Sequence, residues 1–125
     1  MPTPTEIVSS FCAAFAEDEA ETAIRRWFTS ETVWVNEGLS TTIGIEEALS
    51  RPRSPGVIVH FDMLAIAADG NRVLTERLDR FVRADGNEVA ALRVMGIFEI
   101  EDGHIVAWRD YFDVAAAKRM SDNRG

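Results

Sequence analysis

Three Asp-Gly pairs, Asp69-Gly70, Asp85-Gly86 and Asp102-Gly103, interrupt β-prone segments in the second half of the chain. Tight hairpins need turn residues that tolerate positive φ, so Asp-Gly between such segments is a strong hairpin signal. The region therefore reads as an antiparallel meander of long strands, Val57 to Ala67, Arg72 to Arg83, Glu88 to Ile100 and Ile105 to Phe112. Ala115 to Met120 reads as a short closing helix.

The first half has a different period. Thr3 can cap a helix, Pro4 suits its first position, and Glu6 completes a capping box. Ile7, Phe11, Ala14 and Phe15 then fall on one helical face, and Ala20, Ala23, Ile24 and Trp27 repeat the stripe from about Glu19 to Phe28. Val33-Trp34-Val35 is a short β-prone run, followed by a polar loop and a third helix, Gly44 to Leu49, ended by Pro52 and Pro55. Helices first and long strands afterwards predict an α+β arrangement. A curved antiparallel sheet of mixed order, a cone, is covered on one face by the N-terminal helices, with a pocket between the layers.

At 125 residues the chain is long enough to bury one core without staples, and residues 1–125 read as a single domain. Twenty-one acidic against 13 basic side chains leave a net charge of −8, which repels phosphate backbones and argues against nucleic acid as a partner. No run reaches the ~20 apolar residues of a membrane span, and a signal peptide is not evident, so the expected location is cytoplasmic. Cys12, the lone cysteine, sits in helical core sequence and reads as a buried structural thiol. His60 and His104 lack neighbours at ligand spacing, so no metal and no cofactor is expected.

The strand faces locate a candidate site. In Glu88 to Ile100 the even positions, including Leu92, Val94, Gly96 and Phe98, are wholly apolar and face inward. In the last strand Val106, Trp108, Asp110 and Phe112 share a face, which puts the Asp110 carboxylate on apolar surroundings, where it needs partners. A two-residue Asp85-Gly86 turn sets Asp79 opposite Leu92 and Arg77 opposite Val94. A three-residue turn at Asp102-Gly103, with Gly103 left-handed, sets Asp110 opposite Val94 from the other side. With strands ~4.8 Å apart, one arginine fork could then reach both carboxylates. Arg and Asp two apart on a strand are more often an ordinary ion pair than a functional site, and Asp110 on an apolar face shifts that balance only modestly. Trp34, Trp108 and Phe112 suit core or pocket wall.

Val73-Leu74-Thr75-Glu76-Arg77-Leu78-Asp79 and the run from Gly103 through Trp108-Arg109-Asp110-Tyr111-Phe112-Asp113 resemble two signature strands of the limonene epoxide hydrolase family, of NTF2-like or SnoaL-like fold. The helices, Trp34-Val35-Asn36 and Gly96-Ile97-Phe98 fall in the matching order, so the resemblance covers most of the chain. It implies one-step hydrolysis of an epoxide to a vicinal diol without metal or covalent intermediate. Asp110 would deprotonate a water, Asp79 would protonate the epoxide oxygen, and Arg77 would bridge them. Two close carboxylates resist double ionisation, which suits one as acid and the other as base. The family also positions the water with a tyrosine and an asparagine two residues later; Asn36 fits the second place and Trp34 stands in the first. Phe81, Leu92, Val94, Trp108 and Phe112, with Trp34, imply a small apolar epoxide as substrate. Leu78, Met95 and Ile97 on the outer face, together with the family's habit, suggest a homodimer through the back of the sheet.

Two other readings share the fold. An isomerase or cyclase of the ketosteroid isomerase or polyketide cyclase type would use a lone acid as base, a pattern that Arg77 between two acids disfavours. A non-catalytic binding protein would keep the pocket and use the polar cluster as an anchor, and Trp34 is its best argument.

Overall fold

The computed structural model describes residues 2–17, 19–52 and 55–123, with side chains described as far as 120. Helix α1 (Pro4–Ala16) starts as its residues require: the Glu6 amide donates to Thr3 Oγ1 at 3.2 Å, and the Thr3 amide donates to Glu6 Oε1 at 3.0 Å. Helix α2 (Ala20–Trp27) ends where strand β1 (Phe28–Asn36) begins. Strand β2 (Ser40–Ile43) precedes helix α3 (Gly44–Leu49). Strands β3 (Val57–Asp69), β4 (Arg72–Arg83), β5 (Glu88–Glu101) and β6 (His104–Tyr111) then form hairpins, and helix α4 (Val114–Asn123) follows.

The six strands form one open sheet in the order β2-β1-β6-β5-β4-β3. The α+β class and the N-terminal helical cover are as expected, but the sheet is not purely antiparallel: β1 runs parallel to β6, with Trp34 opposite Trp108 and Asn36 opposite Asp110. The stretch expected to be a polar loop is β2, an edge strand whose pairing comes from the β1 backbone and needs no apolar pattern. The Asn36 end of β1 is thereby laid directly beside Asp110.

Two turns differ from expectation. Arg83 donates its amide to Asn87 O, so the β4–β5 loop has three residues, and a bulge at Val89 restores the register. Asp79 thus does face Leu92, and Arg77 does face Val94. At the β5–β6 turn, Glu101 pairs with His104 across a two-residue turn, with Asp102 at φ 50° and Gly103 at φ 76°. A bulge at Val106 then shifts the ladder, so Asp110 stands opposite Gly96 rather than Val94. The same bulge turns Ile105, fully buried, into the core in place of the expected Val106.

The core lies between the helices and the inner sheet face. Phe11 and Phe15 of α1, Ile24 of α2 and Phe98 of β5 converge on Trp108, which is 1% exposed. Phe98 stacks on Trp108 at 5.0 Å, and Phe11 meets it edge-on at 5.3 Å. Such pairs add about 0.5–1.5 kcal/mol each beyond their area and hold the indole in one orientation. Cys12 is buried as expected, and burial pushes its thiol up to about 12. On the outer sheet face Met95, Leu74 and Leu64 stay exposed, while Leu78 and Ile97 are half-buried.

Candidate active site

Strand alternation delivers Thr75, Arg77 and Asp79 to the inner face of β4 and Asp110 to the inner face of β6, with β5 between. Strands two apart are about 10 Å apart at the backbone, so a side chain on either must reach across the one between. Gly96 makes that reach possible. A Cβ at this position would sit 2.5 Å from Arg77 Nη1 and closer still to Asp110 Oδ1, so any side chain there would displace both.

Arg77 is fully buried, and each of its five donor hydrogens has an acceptor. Nε and Nη2 donate to Asp79 Oδ1 and Oδ2 at 3.0 and 2.9 Å, and Nη1 and Nη2 donate to Asp110 Oδ1 and Oδ2 at 3.2 and 2.9 Å. The remaining Nη1 hydrogen goes to Thr75 Oγ1 at 3.1 Å, and the Thr75 hydroxyl donates onward to Gly96 O. Asp110 Oδ1 accepts a further bond from Trp108 Nε1 at 2.7 Å. The phenyl ring of Phe61 lies 5.0 Å from the Arg77 guanidinium carbon.

The charges are therefore unequal: two carboxylates share one cation. Burial pushes both the Asp110 and the Asp79 carboxyl above the ordinary carboxylate range, and Arg77 pulls each of them back. The negative field of Asp110 raises Asp79 further, while the Trp108 N–H favours the ionised form of Asp110. Burial works against the Arg77 charge, but the two acids outweigh it and hold the guanidinium protonated. Asp79 accepts two hydrogen bonds and Asp110 three, so the ionised form is better supported on Asp110.

Asp79 and Asp110 border a cavity of about 460 Å³ between the sheet and the helices. Asn36, Trp34, Phe81, Leu92, Val94, Trp108 and Phe112 all line it, so of the expected residues only Arg77 lies behind the wall. Trp34 stacks on Trp108 with ring centroids 4.5 Å apart and planes 3° from parallel.

Three contributors escaped the sequence reading. Thr75 could have been found, since it sits two residues before Arg77 on the same face. The role of Gly96 depends on the bulge at Val106, which no local pattern announced. Arg51 follows α3 in a proline-flanked stretch without periodicity, yet it lines the cavity and lays its guanidinium 3.7 Å over the Trp34 ring.

Comparison with known proteins places this geometry in context. Residues 2–120 match the sequence model of the family described as Limonene-1,2-epoxide hydrolase catalytic domain. A protein named Epoxide hydrolase EphG, from Mycobacterium tuberculosis (strain ATCC 25618 / H37Rv), is 34% identical over 113 residues, which cover 86% of this chain and 71% of that protein. A solved structure of an M. tuberculosis LEH-like epoxide hydrolase superposes with a TM-score of 0.78 at 29% identity, covering 94% of this chain and 87% of that one. An NTF2-like protein of unknown function from Burkholderia pseudomallei K96243 superposes with a TM-score of 0.79 over 96% of this chain and 98% of its own. At 20% identity that last likeness speaks for the fold alone.

Proposed function

The chain belongs to the limonene-1,2-epoxide hydrolase catalytic-domain family, and from that premise we propose that it hydrolyses a small, mostly apolar epoxide to a vicinal diol in one step. The observation that carries the reading is a pair of carboxylates on one fully buried arginine at the edge of a largely apolar cavity.

In the reactive state Asp110 is ionised and Asp79 protonated. Asp110 takes a proton from a water as the water oxygen attacks an epoxide carbon. That carbon's bond to the epoxide oxygen breaks, and Asp79 gives its proton to the departing oxygen. The water oxygen and the ring oxygen become the two hydroxyls of the diol, and one proton moves from the Asp79 side to the Asp110 side. Arg77 spans both carboxylates throughout, so the charge that shifts between them stays beside its counter-ion. Asn36, opposite Asp110 in the ladder and on the cavity wall, is the side chain we assign to holding the water. Trp34 holds no acceptor for that water, because an indole N–H only donates.

Hydrolysis in oxygen-18 water tests the reaction. Wild-type protein is expected to convert cyclic and linear epoxides to diols carrying one labelled oxygen. An unlabelled isomer as product, or no turnover across the panel, would replace the hydrolase reading with an isomerase or a binding protein.

We further propose a cytoplasmic homodimer joined through the outer sheet face, where Leu74 and Met95 are 42% and 54% exposed. Light scattering is expected to give twice the mass of one chain, and Met95→Lys should shift it toward one. A monomer at all concentrations would end this part of the proposal.

A further inference from the structure

Among the described residues two arginines reach the cavity region, and they are treated differently. Arg77 has two carboxylate partners, whereas among the described residues no carboxylate pairs with Arg51. The Arg51 guanidinium is nevertheless fixed: its carbon lies 3.7 Å over the Trp34 ring, and Nη2 donates to Trp34 O at 2.9 Å and to Thr42 Oγ1 at 3.5 Å. Arg51 Nε is buried without a hydrogen-bond partner, and so is Trp34 Nε1 beside it. Both side chains line the cavity.

Two buried donors without partners on one wall are unusual in a folded protein, and they mark this wall, with the Arg51 guanidinium, as the polar end of an otherwise mostly apolar cavity. Its charge indicates what that end would hold. Among the described residues Arg51 is the cation on the cavity wall, and it has no carboxylate partner there, because Asp79 and Asp110 are both engaged by Arg77. Burial pushes the Arg51 guanidinium down to about 10, which leaves it cationic at neutral pH. Among the described residues the rest of the lining is mostly apolar and offers no anion besides the two catalytic candidates.

We infer that Arg51, stacked on Trp34, is a carboxylate-binding subsite, and that the substrate is an epoxide whose hydrocarbon body carries a carboxylate. The acid group would dock on Arg51 while the epoxide lies against Asp79 and Asp110. This rests on the hydrolase reading only for the word epoxide; the anion subsite itself does not.

The test is therefore made with ligands that cannot react. Calorimetric titration at pH 7 compares cyclohexanecarboxylate with its methyl ester, which has the same ring but neither a charge nor a proton to offer the aspartates. Wild-type protein is expected to bind the acid at least about tenfold more tightly, the scale of one charge-assisted hydrogen bond. Arg51→Met should erase the preference, and Arg51→Lys should keep part of it. Equal affinity for acid and ester in the wild type, or no binding of the acid, overturns the subsite, as does a preference that survives in Arg51→Met. The wild-type comparison decides even if a variant fails to fold. Because neither ligand contains an epoxide, a failure here is distinct from a failure of diol formation.

Discussion

Replacing Asp110 by asparagine is expected to lower kcat for diol formation by about 10²–10⁴-fold, the usual contribution of a positioned general base. The amide cannot take a proton from water, while its carbonyl oxygen can still accept from Trp108 and Arg77, so the pocket keeps its shape. Two effects on stability oppose each other: the variant loses a desolvated negative charge, and it turns an N–H₂ toward Arg77. Thermal stability should therefore move little while the rate collapses, and both are read from one purified sample. An Asp110→Asn protein that keeps more than about a tenth of the rate would remove Asp110 from the chemistry. The wild-type pH profile carries the same assignment. Activity needs Asp110 ionised and Asp79 protonated, so kcat/KM falls at low pH as Asp110 gains its proton and at high pH as Asp79 loses its own. Burial raises both groups, so both limbs should lie above the ordinary carboxylate value of 3.8.

Arg77→Met should be the most destabilising single substitution in the site. It leaves the buried carboxyl pair, with its ionised member, without a cation, and removing one partner of a buried ion pair costs about 3–5 kcal/mol. In a chain of this size that corresponds to a fall in Tm on the order of 10–20 °C at pH 7. The sign of its pH dependence is informative. A carboxyl whose pKa is raised by folding stabilises the protein most below its ordinary value, and that stability is lost as pH rises through the folded value. Without Arg77 the folded values climb further, so the penalty should shrink as pH falls from 7 toward 5, where the acids take up protons. Urea unfolding at the two pH values measures this; a loss under about 1 kcal/mol at pH 7 would mean that no ionised carboxylate in the cluster depends on Arg77 for its counter-charge.

Much of this cluster was legible before any coordinates. The alternation in β4 and β5 is strict enough to assign Arg77 and Asp79 to the inner face, because a one-residue slip would expose every apolar partner. Asp110 was placed on the correct face although its register was wrong by two residues, since a shift of two preserves the face. The β4–β5 register was reached with the wrong loop, a three-residue turn and a bulge together giving the pairing of a plain two-residue turn.

Local periodicity and turn chemistry thus determined which elements form and which way their side chains point, because both depend on residues close in the chain. Tertiary structure alone decided what lies beside what. The parallel pairing of β1 with β6 brings Asn36 to Asp110, and the bulge at Val106 sets Asp110 over Gly96, the one inner position without a side chain in the way. Arg51 owes its place to the strand on which Trp34 stands, a partner 17 positions away in the chain. These are contacts between segments distant in sequence, and they are selected by the summed packing of the sheet and helices rather than by any pattern a short stretch of residues carries.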